Sequence, residues 1–470
     1  MTETKHNICT LCSMGCGLLI EVNDGLPLSL EYEADCPVSQ GALCAKGNYA
    51  LELLNHPFRL GEPTKNGSVI GWDAAISELA QAPCSPKSGF IVEGNLSDEE
   101  ARTVMEFACA CARPENVAIS FSTNDDNVVR ALDNMPVPRA SIDDLKSAVC
   151  TIAVNDPFSV GPVVARWVMR ARNAARENTL NVIAASEGII SEFATVKLTG
   201  PVRPSLLGLL KKLIEIKGDS APEWARAAAD DIARLNVPED EAGTDRLARE
   251  FLDARSGAIV LSTSDPVEAR LAAGCCLVAG AAKKLFLVNE YGNASGISQN
   301  AAALGSVEGI LRKAARGEID ALIVLGADLV ASYPETDVAG ALRKLRFLAA
   351  GAAFPNKTTA LASVVLPTAI WLEKDGTFNG MPQRAVAPPP GGALPYGQIL
   401  QMIECEADVK PAHVTAKAGG PVELNREFMS YLVSEAAKPA PPAIIPSPTR
   451  FADGSVTDHL SWPQALAAGM

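Results

Sequence analysis

Apolar and polar positions along the 470-residue chain alternate between two periods. Short apolar runs at 89–93, 149–154, 180–184, 258–262, 285–288, 321–325 and 345–349 read as strands. Between them, 73–80, 97–112, 163–176, 267–281 and 307–317 carry apolar residues at helical spacing. The helix expected at 97–112 brings its own boundary signals. Ser97 can cap it, Asp98, Glu99 and Glu100 fill a first turn that favours negative charge, and Pro114 lies past its end.

A strand-then-helix order implies parallel sheets covered on both faces, so the expected class is α/β with two doubly wound domains, 63–255 and 256–390. Ahead of them, residues 1–62 are dense in Cys and Gly and carry one alternating run at 17–23 that ends in Asn23-Asp24-Gly25, a turn signal. They read as a small cluster-holding domain. Residues 391–470 contain Lys438-Pro-Ala-Pro-Pro-Ala-Ile-Ile-Pro and read as an extended, proline-rich extension. No segment repeats at a fixed short period.

Hydrophobic residues make up 48% and charged residues 20%, a composition that excludes a largely disordered chain. The formal net charge of -14, with no basic stripe, argues against a nucleic-acid partner. Apolar runs such as 275–282 and 321–325 fall short of the ~20 residues that span a bilayer, so no direct membrane insertion is expected. The start MTETKHNICTLC lacks an apolar export region, and a cytoplasmic location is the expectation. There, twelve cysteines point to metal ligation or buried thiols more than to disulfides.

The spacing selects among them. Cys9-x2-Cys12-x3-Cys16, followed by Cys44 after 27 residues, supplies four thiolates, the number that a [4Fe–4S] cluster needs. Gly15 and Gly17 let the backbone approach the sulfides. A structural zinc site also uses four cysteines but usually pairs them as Cys-x2-4-Cys twice, and the second pair is missing. Cys36 is the rival fourth ligand, although Asp35-Cys36-Pro37 lies ahead of the Gly41 turn. Cys109 and Cys111, Cys275 and Cys276, Cys84, Cys150 and Cys405 read as packing thiols. His6 lies near the candidate cluster, and His56 reads as a structural hydrogen-bonding group.

Cys44-Ala45-Lys46-Gly47 with Leu54-Asn55-His56-Pro57-x-Arg59-Leu60 resembles the cluster domain of the molybdopterin oxidoreductase superfamily. The resemblance continues through the helix-bearing stretch 94–117, through Asn155-Asp156-Pro157 and Gly161-Pro162-Val163, and through 317–326. It ends at Val364-Val365-Leu366-Pro367 with Glu373-Lys374-Asp375-Gly376-Thr377-Phe378-Asn379, and covers about residues 5 to 390. It implies the superfamily's fold: a [4Fe–4S] domain followed by two α/β domains.

Members divide into molybdenum or tungsten enzymes, such as formate dehydrogenases, and cofactor-free relatives, such as the G-type subunit of NADH:quinone oxidoreductase. The departures decide the expectation. The metal-ligating Cys or selenocysteine of formate dehydrogenases falls near Ser120, which reads as a loop serine. The family's pterin-binding Asp-Pro-Arg-x-Thr corresponds to Ala185-Ser186-Glu187-Gly188, where an acid replaces the cation and would repel a pyrophosphate. The 86 residues from Ala385 to Met470 show no strand series for the family's C-terminal barrel.

The resemblance therefore implies an electron-transfer subunit with one cluster and no molybdopterin. The alternative is a catalytic molybdenum or tungsten subunit of the formate or formylmethanofuran dehydrogenase type. Lys46 matches a basic residue between cluster and pterin in catalytic relatives, as an electron relay or as a charge partner of the cluster. One cluster cannot split a two-electron substrate, so flavin-bearing or ferredoxin-like partner subunits are expected.

Overall fold

The computed structural model describes residues 2–81, 87–110, 113–121, 125–133, 135–227, 241–294, 296–333, 337–378, 380–407, 422–438, 449–450 and 456–457. Three antiparallel strands come first: β1 (Thr2–Ile8), β2 (Gly17–Asn23) and β3 (Leu26–Tyr32), in the order β1-β2-β3. Alternation along β2 buries Leu18, Ile20 and Val22 completely and leaves Glu21 in solvent. Asp24 and Gly25 join β2 to β3 with φ of 50° and 79°, the left-handed pair that a tight hairpin requires. β1 and β3 lie outside the expected strands. Thr2-Glu-Thr-Lys-His is polar throughout, and β1 is held by its pairing with β2 instead of by its own apolar pattern.

The hairpin β4 (Thr64–Lys65) and β5 (Ser68–Val69) precedes helix α1 (Trp72–Ala80). Strand β6 (Ser88–Glu93), helix α2 (Asp98–Ala110) and strand β7 (Val117–Ser120) follow, with β6 and β7 paired in parallel. Next come β8 (Cys150–Val154), α3 (Pro162–Ala174), β9 (Thr179–Ala184), β10 (Val196–Thr199) and α4 (Val202–Lys217). They are followed by α5 (Glu241–Asp253), β11 (Gly257–Leu261), α6 (Pro266–Ala279) and β12 (Lys283–Leu287). The chain continues through α7 (Val307–Ala315), β13 (Ala321–Leu325), β14 (Phe347–Ala352) and β15 (Val364–Pro367). The hairpin β16 (Gly376–Phe378) and β17 (Met381–Gln383), then α8 (Tyr396–Glu406) and α9 (Arg426–Ala436), complete the elements that matter here.

Two sheets result, in order β5-β4-β15-β14-β13-β6-β7 and β10-β9-β8-β11-β12, and both are parallel apart from β4 and β5. Among the described residues there is no closed barrel. The described residues form two compact units, one on each sheet, with β1–β3 belonging to the seven-stranded one. The sheets do not divide the chain at 255/256. β11 pairs with β8, and β13 returns to β6, so the first sheet takes strands from 64–120 and again from 321–367. Strand–helix alternation reports a period but not which edge the next strand joins.

The residues after 390 also differ from an extended segment. Tyr396, Ile399, Leu400 and Ile403 bury one face of α8, while Met429, Leu432 and Val433 bury one face of α9. Both helices keep an apolar face at helical spacing that the surrounding prolines obscure. The run 439–448 lies outside the described residues. No described helix is long and apolar enough to cross a membrane. Of the thiols read as packing groups, Cys150, Cys275 and Cys276 are buried, Cys109 is half-buried, and Cys405 is exposed on α8. Cys84 and Cys111 lie outside the described residues.

Candidate metal centre

Cys9 follows β1 directly, and the loop that carries Cys12 and Cys16 closes on itself where the Cys9 N–H donates to the Cys16 carbonyl at 2.8 Å. Gly15 turns that loop at φ 65°, and a methyl group on Gly17 would come 2.8 Å from the Cys36 Cβ. Cys9, Cys12 and Cys16 are buried. Burial pushes the Cys9 thiol up to about 12 and raises Cys12 and Cys16 as well, and neighbouring thiols raise Cys9 and Cys16 further. Metal binding at such thiols releases protons, because the ligand is the thiolate.

Cys44 enters from a second segment, at the start of the one-turn helix Ala45–Asn48, and is half-buried. Its carbonyl accepts from the Asn48 N–H at 3.1 Å and from Asn48 Nδ2 at 3.0 Å. Of the thiols that act on Cys16, Cys9, Cys12 and Cys44 weigh more than Cys36. Lys46 Nζ donates to the Leu11 carbonyl at 3.1 Å, tying the two segments together, and its charge lowers both Cys9 and Cys12. Among the described residues, no three His, Cys, Asp or Glu side chains gather as ligands of one ion. His6 is exposed and meets Glu33 at 2.9 Å, while His56 Nδ1 accepts from the Phe58 N–H at 3.3 Å, the structural role expected of it.

The donor set fits a cubane cluster. Four thiols come from two segments, three of them are screened from water, and one cation offsets negative charge.

Thr10, Leu11 and Lys46 also line a cavity of about 150 Å³. It opens where the seven-stranded sheet reverses its order. β6 leads to β7 on one side and β13 to β14 on the other, so the C-terminal ends of β6 and β13 frame a crevice. There Glu93 accepts from the Tyr291 hydroxyl at 3.0 Å and from the Tyr396 hydroxyl at 2.7 Å, while burial holds its carboxyl above the ordinary range. Asp328 accepts from the Ala331, Lys357 and Thr358 N–H groups and, at 2.8 Å, from the Thr358 hydroxyl. Lys374, also in the lining, donates to Glu100 at 2.8 Å and stands 4.7 Å from the Tyr396 ring centre.

Two stretches quoted for the resemblance meet here. Arg59 forms a bidentate pair with Glu373 at 2.9 and 2.8 Å, both side chains almost fully buried. Glu93, Tyr291, Asp328 and Tyr396 were not among the candidate residues. The one signal in the sequence is position: Glu93 ends the strand β6, and Asp328 lies in the loop after β13. Ser120 is not a loop residue: it ends β7, is buried, and its carbonyl accepts from the Gly94 N–H at 2.7 Å.

The five-stranded sheet reverses between β8 and β11. Its strand ends carry a network of paired side chains. Asn155, at φ 61°, donates to the Ser262 carbonyl at 2.9 Å and to Glu268 at 3.1 Å, and Thr263 donates to Glu268 at 2.6 Å. Arg203 pairs with buried Asp265, and burial raises Glu268. Asp156 caps the following turn, accepting from the Phe158 and Ser159 N–H groups. Glu187 is exposed and lies 3.6 Å from Lys197.

Residues 2–56 match the family profile described as the molybdopterin oxidoreductase Fe4S4 domain. This segment is a molybdopterin oxidoreductase Fe4S4 domain. Beyond that domain, homologues include two kinds of subunit. The chain is 26% identical to the F420-dependent formate dehydrogenase 2 subunit alpha of Methanococcus maripaludis, over 98% of this chain and 77% of that one. It is 25% identical to the G-type subunit of NADH-quinone oxidoreductase from Pseudomonas putida, over 81% of this chain and 44% of that one. Acetylene hydratase from Pelobacter acetylenicus shares the fold, with a TM-score of 0.70 at 15% identity over 86% of this chain and 69% of the hydratase.

Proposed function

We propose that the chain is an iron–sulfur electron-transfer subunit of a multisubunit oxidoreductase, relaying single electrons through one [4Fe–4S] cluster without a pterin. Cys9, Cys12, Cys16 and Cys44 are its ligands in this reading, and Lys46 is the charge partner that ties the ligand segments together. The cluster supplies one-electron chemistry when bound, and the buried thiols and the Lys46 charge set its potential.

The observation that carries the reading is the contrast between the thiol set and the crevice beside it. A pterin dinucleotide brings pyrophosphate, which needs donors and positive charge. Glu93, Glu290 and Asp328 line the cavity against Lys46 and Lys374, and Lys374 is already paired with Glu100. The cavity, at about 150 Å³, is also small beside the roughly 300–1,000 Å³ of ordinary ligand pockets. The homologues named as subunits support a multisubunit setting; flavin-bearing or ferredoxin-like partner subunits belong to the proposal. One observation favours a second reading, a catalytic molybdenum or tungsten subunit: the formate dehydrogenase homologue matches along 98% of the chain.

Electron paramagnetic resonance of anaerobically purified, dithionite-reduced protein tests the ligand assignment. A reduced-cluster signal is expected, lost in Cys9→Ser, Cys12→Ser, Cys16→Ser and Cys44→Ser and kept in Cys36→Ser. Loss in Cys36→Ser with retention in Cys44→Ser would reverse the fourth ligand. Lys46→Met should lower the cluster potential, by on the order of 1 kcal/mol of electron affinity for a solvated charge.

A further inference from the structure

β3 is an edge strand, and it carries exposed apolar side chains that a free protein surface rarely strings together. Leu26 is 67% exposed, Leu28 60% and Tyr32 50%. The opposite edge of the same small sheet is covered. From β1, Lys5 donates to the Ala385 carbonyl at 2.9 Å and Asn7 to the Arg384 carbonyl at 3.1 Å. The open edge also touches the candidate cluster through a short bonded path. The Tyr32 hydroxyl donates to Asn48 Oδ1 at 2.8 Å, and Asn48 Nδ2 donates to the Cys44 carbonyl. Cys44 is the half-buried residue of the four.

Charge narrows the occupant. Between Gly17 and Cys44 the sequence holds Glu21, Asp24, Glu31, Glu33 and Asp35 and no lysine or arginine. Glu21, Asp24, Glu31 and Asp35 are exposed. We propose that the β3 edge, with Leu26, Leu28 and Tyr32 at its centre and these carboxylates as its rim, docks a one-electron redox protein whose apolar redox face is ringed by Lys or Arg. The inference rests on the cluster reading above and names the surface through which electrons cross. One electron leaves the reduced cluster and one enters the partner's oxidised centre, with no bond made or broken and no proton required. The apolar centre holds the pair together, and the charges steer encounter.

The test uses the iron-loaded protein with cytochrome c, a lysine-ringed haem protein, as the probe. Stopped-flow measures its reduction by the dithionite-reduced protein. Binding of zinc-substituted cytochrome c, read by fluorescence anisotropy, gives a readout without electron transfer. Asp24→Lys/Glu31→Lys is expected to slow reduction by about tenfold and to weaken binding, with an effect that shrinks as salt rises. Leu26→Ser/Leu28→Ser should weaken binding with little change in salt dependence. Oxidation by neutral benzoquinone should stay within about twofold in both, because it needs no charged docking surface. Unchanged cytochrome c kinetics and binding in both variants, or equal slowing by Glu177→Lys on the other unit, would overturn the docking surface while leaving the cluster assignment intact. A protein that takes up no iron would instead remove the cluster reading and this inference with it.

Discussion

The two sheets end in two switch points built from similar groups, and their polar side chains are paired in different ways. Each places a carboxylate above its ordinary range at a switch point, Glu93 in the seven-stranded sheet and Glu268 in the five-stranded sheet. Each has a buried Arg–carboxylate pair, Arg59 with Glu373 and Arg203 with Asp265. At the five-stranded switch point Asn155 donates to both the Ser262 carbonyl and Glu268. The seven-stranded crevice keeps its cavity, and Lys46 with the cluster loop forms part of its wall. A switch point is a common place for a ligand. At both, neighbouring side chains hold the raised carboxyl: Tyr291 and Tyr396 bond Glu93, and Asn155 and Thr263 bond Glu268.

The largest effects should come from features that the switch points share. Arg59→Ala and Arg203→Ala each strand a buried carboxylate and should cost about 3–5 kcal/mol, read by denaturant unfolding. Replacing both partners at either site with apolar residues of similar volume should recover most of the loss. If Arg59→Ala costs under about 1 kcal/mol, the wall of the cavity is not built on that pair.

The next effect should separate the switch points. Asn155→Ala removes two hydrogen bonds and leaves buried acceptors, at about 1–3 kcal/mol. Asn95→Ala, in the cavity lining, removes a buried side-chain oxygen with no hydrogen-bond partner among the described residues, and should be within about 0.5 kcal/mol of wild type. Equal costs would erase the distinction between the two switch points.

The smallest effect is a pH response. A carboxyl raised on folding contributes stability that is full below its unfolded value, about 4.3, and is lost as pH rises through the folded value. Glu93→Gln and Glu268→Gln remove that loss. Thermal melts should therefore show each variant gaining on wild type as pH rises from about 4 to 7. A difference that is flat with pH would mean that both carboxyls ionise normally.

Much of this was legible in the sequence, for reasons that differ by region. β13 coincides with the apolar run at 321–325, and α2 begins at Asp98 because Ser97 and the acidic first turn mark its start. Such elements are written locally. β1 is polar and gains its place from β2, and the faces of α8 and α9 are short and flanked by proline, so their structure depends on partners far along the chain. Sheet membership is likewise non-local, which is why 321–367 joins strands from the first hundred residues. The four thiols are legible because a cluster demands donors at short, fixed spacing. Glu93, Tyr291 and Tyr396 are not, because they come from three separate segments that only the fold brings together.

The most direct test of the account is mass-spectrometric analysis of iron, zinc, molybdenum and tungsten together on anaerobically purified protein. The account predicts about four irons per chain with neither molybdenum nor tungsten. Molybdenum or tungsten in near-stoichiometric amount would contradict it and make the crevice beside Lys46 a catalytic site.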